Sequence, residues 1–368
     1  MENGRLERIK KWLKGGYAPP WHMQLQPTAK CNLRCRFCWS RKYTREEPDL
    51  PDEKWIEITE EACKMGVKGL TIVGGGEPLI RRELVKKMTK IIKDYNVDGT
   101  IVTNGTLITS EFADYLVKIG WDTVAISING TQKTDNYLRG RGNAFQMTMK
   151  SIRFINKYKE KMKSNKPNIV FHSVITRQNV GELVELFNLA RKCKAGTFVL
   201  RMVNDDYQNP QFYITKDQFP LLESQLKKIV ELSQTYHIDL DWQMSLEDVK
   251  KRLFSNTNEK TVNENNIKSG VILSCTRPFT EMVIIPCGTV GPCCAFCEGK
   301  YSKDESLKES VLKFIDDIND KSLEEIWRGD KFNNFRKLAE KNELPLYCKK
   351  TCPADYLYLE KSGKLLQR

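Results

Sequence analysis

From residue 52 to residue 203 the apolar positions of this chain alternate between a period near 3.6 and short continuous runs, the marks of helix and buried strand. Ahead of that region MQLQPT, Met23 to Thr28, reads as a strand, and from about Asp52 to Met65 the residues Trp55, Ile58, Ala62 and Met65 form one helical stripe. GLTIVGGGEP then gives a strand over Leu70 to Val73 that ends in three glycines. The pattern predicts further helices over 81–95, 110–119, 144–157 and 180–192, and strands over 99–103, 123–128, 168–175 and 197–203. Strand, helix, strand repeated in this way predicts a parallel sheet wrapped by helices. Six strands make an α/β fold of the open or partial (β/α)6 barrel type, with the active site expected at the C-terminal strand ends.

The flanks carry a different pattern. Leu6, Ile9 and Leu13 mark a short amphipathic helix before the Pro19-Pro20 break, and a helix with the short strand HIDLDW, between Thr215 and Ser245, is expected to lead away from the barrel. The stretch Ser255 to Gly270 is polar and reads as a loop or hinge. Beyond it MVII and TVGP flank a Cys-Gly turn, the signature of a short hairpin, and SLEEIWRGDKFNNFRKLAEK reads as one helix opened by Ser322 with Glu325 at the capping-box position. The expected organisation is a barrel over 1–215, a connection over 216–270 and a small cysteine-rich α+β domain over 271–368.

Composition narrows the class. With 40% hydrophobic and 29% charged residues in 368, the chain has the balance of a globular protein. No apolar run approaches the roughly twenty residues of a membrane span, and the charged opening MENGRLERIKKWLKGG is neither signal peptide nor anchor. A formal charge of +13 invites a nucleic-acid reading, but lysine and arginine are interleaved with acids, and the densest basic run, Arg153 to Lys166, reads as the solvated end of a helix. Nucleic acid is therefore not the expected partner; an anionic peptide or a phosphorylated small molecule suits the charge equally. The twelve cysteines cluster, which points to a reducing cytoplasm and metal-bound thiolates rather than a disulfide scaffold.

The first cluster is CNLRCRFC, with thiols at Cys31, Cys35 and Cys38 directly after strand one. Three thiols can grip one metal centre, yet they are one short of a tetrahedral zinc site or a fully cysteine-bound cubane. A four-iron cluster held there keeps one iron open to a substrate or cofactor; a zinc completed by a distant residue is the alternative for the triad alone. GGGEP follows strand two, TNGT (Thr103 to Thr106) ends strand three, SING (Ser127 to Gly130) ends strand four and RMVNDD ends strand six, so the unusual motifs converge on one rim. Cys63 and Cys193 read as packing residues, and His22, His172 and His237 have no motif around them.

With Phe37 before its third cysteine, CNLRCRFC resembles the cluster motif of the radical S-adenosylmethionine (SAM) superfamily, and GGGEP, TNGT and SING stand in the order that superfamily uses to hold SAM. The chain beyond Cys275 resembles the SPASM/twitch extension, which carries an auxiliary iron–sulfur cluster. The resemblance implies that Cys31, Cys35 and Cys38 bind a [4Fe-4S] cluster whose open iron chelates SAM. An electron from a reductant such as flavodoxin or ferredoxin would then cleave SAM to methionine and a 5′-deoxyadenosyl radical, which takes a hydrogen from the substrate. Gly74, Gly75 and Gly76 would offer carbonyls to the methionine ammonium beside Glu77. Thr103, Asn104, Ser127 and Asn129 would line the cofactor, the last two near its ribose, and Arg139 or Arg141 would meet its carboxylate.

For the auxiliary site, Cys275 and Cys293 with Gly288 between them match the family pattern, and Cys348 and Cys352 would close one auxiliary [4Fe-4S] cluster. Cys287, Cys294 and Cys297 are left over and could serve a second cluster; a structural zinc knuckle is the other reading of the region. A cluster with four cysteines has no open iron and moves electrons, which suits oxidation, epimerisation, dehydration or crosslinking. Asp205 and Asp206, after strand six, are candidates for a base or hydrogen donor. The expected substrate is a small metabolite such as an aminosugar, favoured over a ribosomal peptide because no N-terminal leader-binding domain is evident. The competing class is an iron–sulfur electron carrier or interaction module, which has no use for GGGEP and its companion motifs; a nucleic-acid-modifying radical enzyme is a third.

Overall fold

The computed structural model describes residues 2–38, 40, 47–203, 209–242, 246–254, 271–351, 357–360 and 365–367. Its strands are β1 His22–Leu25, β2 Gly69–Ile72, β3 Asp98–Thr103, β4 Thr123–Ser127, β5 Asn168–Ile175, β6 Thr197–Met202, β7 Asp239–Trp242, β8 Val271–Leu273, β9 Glu281–Ile284, β10 Thr289–Gly291, β11 Asp316–Asp317, β12 Leu357–Glu360 and β13 Leu365–Gln367. Strands β1 to β7 are parallel and lie in chain order, each joined to the next by a crossover connection. The sheet is not closed. HIDLDW does not lead away from the barrel: as β7 it pairs parallel with β6, Leu240 facing the helix side while Asp239 and Asp241 face the other.

The helix-covered side of the sheet is where the core lies. Met23, Leu25, Leu70, Ile72, Ile101, Val124, Ile126, Ile169, Phe171, Phe198 and Leu200 sit on that face and pack against Trp55, Phe112, Leu186 and Phe187 of the helices. Each fully buried side chain of this size contributes about 1.5–3 kcal/mol. On the uncovered face the alternation gives Gln24, Thr71, Thr100, Val102, Ser127, His172, Val174 and Arg201, all half-buried and reached by water.

The C-terminal part joins the same sheet. β9 pairs parallel with β1, β10 antiparallel with β9, and β11 with β10, giving the order β11-β10-β9-β1-β2-β3-β4-β5-β6-β7. The expected hairpin around Gly288 is present, Gly288 taking φ +95° at its turn. The expected helix from Ser322 is two: Leu323–Arg328 opens on the Ser322–Glu325 capping box, but Gly329, extended at φ −70° and ψ 167°, breaks it before Asp330–Glu340. A separate three-stranded sheet joins β8, β12 and β13. Because β9 runs parallel to β1, its C-terminal end lies on the rim that carries the cysteine loop: Gln26 N donates to Ile284 O and Leu50 N to Pro286 O.

Candidate active site at the strand rim

The loop after β1 is pinned from both ends. Asp49 accepts the Thr28 hydroxyl at 2.6 Å and Ala29 N at 3.0 Å, which fixes the chain as it leaves the strand. Further on, Arg36 N donates to Leu138 O, the Arg36 guanidinium donates to Tyr137 O and stacks 4.4 Å over the Tyr137 ring, and Phe37 meets Phe212 edge-on at 6.4 Å. Phe37 therefore anchors the cysteine loop in a small apolar cluster with Leu138 and Val203.

Two glycines make the close approaches possible. A Cβ on Gly76 would lie 2.0 Å from Lys30 O, so the GGGEP loop and the cysteine loop touch backbone to backbone, bound by Gly76 N to Thr28 O and Glu77 N to Lys30 O. Gly140 ends the helix Gln132–Arg139 in the left-handed region at φ +67°, and a Cβ there would lie 2.4 Å from Arg34 O. That helix had no counterpart in the periodicity.

Glu77 is 1% exposed, and both its oxygens are occupied: Oε1 accepts from Leu79 N and the Thr103 hydroxyl, Oε2 from Asn104 N. Burial pushes its carboxyl up, opposed by the three donors and by Arg139. It ties the β2 loop to the β3 loop. Arg139 is likewise buried, donating to Asp135 at 3.3 Å, to Thr148 at 2.9 Å and to Asn104 O. The resemblance aims it or Arg141 at a carboxylate of the cofactor; its described partners are groups of the rim itself. Arg141 is exposed and bonds Asn143. Asn129 is buried, its Oδ1 accepting Val174 N and its own N bonded to Asp135. Ser127 stays half-buried on the uncovered face, in register with His172. Gly74 and Gly75 are half-buried, with Gly75 O accepting the Ser40 hydroxyl at 2.5 Å.

Cys31 is exposed, Cys35 and Cys38 half-buried. Burial, and after it the neighbouring Cys38, push the Cys35 thiol up to about 12. Desolvation of its sulfur by the surrounding loops likewise raises Cys31, exposed though the residue is at its edge, with Leu33 N as the leading opposing donor. Thiols that repel one another as thiolates suit a cationic iron centre, which reverses the repulsion, and this donor set fits a thiolate-bound cluster.

In the C-terminal part Cys275, Cys293 and Cys348 pack into one apolar cluster with Phe279 and Phe296. Arg277 faces Cys293, Cys275 and Cys294 and is paired with Glu281. Burial pushes both Cys275 and Cys293 up to about 11. Cys287, Cys294 and Cys297 lie in a different cluster, with Val283 and Ile285. Cys352, Asp205 and Asp206 lie outside the described residues.

Residues 25–190 match the radical SAM superfamily and residues 275–353 match SPASM, an iron–sulfur cluster-binding domain. A tungsten-containing aldehyde ferredoxin oxidoreductase cofactor-modifying protein of Pyrococcus furiosus is 24% identical over 326 residues, spanning 87% of this chain and 84% of that protein. The sporulation killing factor maturation protein SkfB of Bacillus subtilis is 30% identical over 185 residues, which is 50% of this chain and 42% of SkfB. Among solved structures, Streptococcus suis SuiB bound to S-adenosylmethionine superposes with a TM-score of 0.66 at 19% identity, over 96% of this chain and 76% of that one. An open parallel sheet with a three-thiol loop on its C-terminal rim defines a radical SAM fold, and this chain belongs to the radical SAM superfamily. Its C-terminal cysteine-rich part is a SPASM domain. The cofactors that follow are a SAM-binding [4Fe-4S] cluster, SAM and auxiliary iron–sulfur ligation in SPASM. Among the described residues no helix is long and apolar enough to cross a membrane.

Sequence reasoning missed Asp49, Asp135 and Asn32. Asp135 stands four residues before Arg139 on a helix flanked by Thr131 and Gly140, so spacing and end signals were there to read.

Proposed function

We propose that this chain uses SAM to abstract a hydrogen from a small molecule at the strand rim, and that one auxiliary [4Fe-4S] cluster takes up or returns the electron left over. The observation that carries the reading is the backbone contact of Gly76 with Lys30, which seats the three-thiol loop against GGGEP at the ends of β1 and β2. Cys31, Cys35 and Cys38 are assigned to the SAM-binding cluster, and Cys275, Cys293, Cys348 and Cys352 to the auxiliary one. When bound, the first cluster and SAM supply a 5′-deoxyadenosyl radical, given one electron from a flavodoxin or ferredoxin.

The chain's own part is positioning. Gly74 to Gly76 would admit the methionine end of SAM, and Ser127, on the uncovered side of β4, would bond its ribose. Glu77, Thr103, Asn129 and Arg139 act by holding the rim rather than by touching the cofactor, since each has protein partners. Asp205 and Asp206, next along the chain from β6, are the proposed base or hydrogen donor.

The small-molecule reading is supported by the relative that spans most of both chains, whose name is that of a cofactor-modifying protein. A peptide substrate is the second reading, favoured by the 30% identity to a maturation protein over half of this chain. Anaerobically reconstituted protein should hold about eight irons and eight sulfides per chain, and about four would sink the auxiliary cluster. With SAM and a strong reductant it should release 5′-deoxyadenosine, and Cys35→Ala should abolish the release. The metabolite fraction of a cell extract should accelerate that release. Acceleration by the peptide fraction alone would replace the first substrate reading with the second.

A further inference from the structure

Asn104 is held on the rim through both its backbone and its side chain. Its backbone N donates to Glu77 Oε2 at 2.7 Å, and its backbone O accepts from Arg139 Nη2 and from the Thr148 hydroxyl at 3.1 Å. Its side-chain Oδ1 accepts twice from Thr106, from the backbone N at 2.9 Å and the hydroxyl at 2.7 Å. Two donors on one oxygen fix which end of the amide is nitrogen. The NH2 group is thereby turned the other way: Nδ2 donates to Asn32 Oδ1 at 2.8 Å and lies 3.9 Å from Cys31 Sγ. Asn32 is itself held, its own NH2 donating to the Thr106 hydroxyl at 2.8 Å. A closed ring of Asn104, Asn32 and Thr106 stands behind one sulfur of the triad, and Leu33 N reaches the same sulfur at 3.4 Å.

We propose that Asn104 is a positioning residue which donates an N–H to the Cys31 sulfur and so raises the reduction potential of the cluster held by Cys31, Cys35 and Cys38. The proposal rests on the assignment of that cluster made above. Reduction adds negative charge to the iron–sulfur core and its thiolates. An N–H aimed at a ligand sulfur stabilises the more negative state and makes the electron easier to accept. A SAM-binding cluster must accept an electron before anything else happens, so this donor acts on the first step. It also gives TNGT a role distinct from lining the cofactor: the constraints on Asn104 hold its amide against the ligand.

The test is a redox titration of the full-length, anaerobically reconstituted protein followed by electron paramagnetic resonance of the reduced cluster, with iron content and thermal stability measured alongside. Asn104→Leu removes the donor, and Asn104→Asp replaces it with an acceptor of the same shape. Both should keep the cluster and move its midpoint to more negative potential, Asp more than Leu. Ser151→Ala, which removes a buried hydroxyl shared between Ile108 O and Met147 O, should lower thermal stability and leave the potential unmoved. An unchanged potential in a folded, iron-loaded Asn104→Leu or Asn104→Asp variant would overturn the proposal. So would loss of iron from variants of wild-type thermal stability, which makes the residue a requirement for assembly instead. If Asn104→Leu does not fold, Asn104→Asp alone decides. Wild-type protein that takes up no four-iron cluster at these cysteines refutes the site assignment, an outcome distinct from a cluster whose potential ignores Asn104.

Discussion

Glu77 Oε1 accepts the Thr103 hydroxyl at 2.6 Å, joining the loop after β2 to the end of β3 through two buried side chains. Glu77→Gln keeps the volume but turns one acceptor into a donor, which must then face Leu79 N or Asn104 N. A buried donor left facing a donor costs about 1–3 kcal/mol. Urea unfolding should show that loss, and iron uptake at the triad should fall because the β3 loop carrying Asn104 is released. Iron uptake and stability both at wild-type level would show that Glu77 does not hold the rim.

Gly76→Ala should be the more damaging change, because the atom it meets is backbone. Its Cβ would sit 2.0 Å from Lys30 O, and Gly140→Ala would sit 2.4 Å from Arg34 O at a left-handed φ. Neither neighbour can rotate away, so each variant must separate the cysteine loop from its support. Gly142→Ala meets nothing within 4 Å and is the control. Iron analysis after reconstitution should show the first two depleted and the third unaffected.

The fold was legible in the sequence because periodicity reports burial on one face. The strand at 168–175 and the helices around 82–94 and 110–118 fall within a residue or two of their expected limits. What periodicity does not report is which strands become neighbours. HIDLDW has too few apolar positions to declare a partner, and its pairing with β6 leaves Asp239 and Asp241 on the open face. MVII was legible as a hairpin strand, but its place beside β1 depends on a contact between distant parts of the chain. At the site, residue types and order were legible from the motifs, whereas direction was not. Arg139 reads as an open guanidinium until Asp135, Thr148 and Asn104 O are brought round it. Glu77 and Asn129 were named for the cofactor on the same grounds, and tertiary packing gives their polar atoms protein partners.

Arg139→Met would leave Asp135 buried with no opposite charge, and breaking a buried pair from one side costs about 3–5 kcal/mol. Asp135 is 0% exposed, and burial already pushes its carboxyl up against the pull of Arg139. The double variant Asp135→Asn with Arg139→Met should recover part of the loss, since no lone charge remains. Arg139→Lys keeps the charge but not the fork that reaches Asp135, Thr148 and Asn104 O together, and it should fall between. Chemical denaturation of the four proteins checks the order. A loss of SAM affinity in Arg139→Lys at unchanged stability would instead restore the residue to the cofactor's carboxylate.

His172 gives the molecule an acid-sensitive term. Burial, with Arg201 adding to it, lowers its imidazole from 6.5 to about 4. Between those values the unfolded chain binds a proton that the folded chain refuses, so stability rises with pH through the window and is lost as pH falls from about 6.5 towards 4. The difference amounts to about 3 kcal/mol at full burial, and water at the uncovered face trims it to about 1–2 kcal/mol. His172→Gln should unfold with a shallower pH dependence between pH 7 and pH 5 in urea titrations. Parallel curves for the two proteins would show that the imidazole is charged in the fold.

The cysteines of the SPASM domain divide by what surrounds them, and iron content should follow the division. Cys275, Cys293 and Cys348 share one apolar cluster, while Cys287 bonds Thr289, Lys300 and Tyr301, and Cys297 is fully buried against Val283 O at 3.9 Å. With Cys352 the first three are the proposed auxiliary ligands, so Cys275→Ala or Cys293→Ala should lower the reconstituted iron from about eight per chain to about four. Cys287→Ala should leave iron at the wild-type level, because its sulfur is spent on a hydrogen-bonded contact that ties Lys300 to Glu47 at the rim. Cys297→Ala should cost stability through the lost packing while keeping its iron. A loss of about four irons from Cys287→Ala or Cys297→Ala would move the auxiliary ligand set to the cysteines packed with Val283 and Ile285.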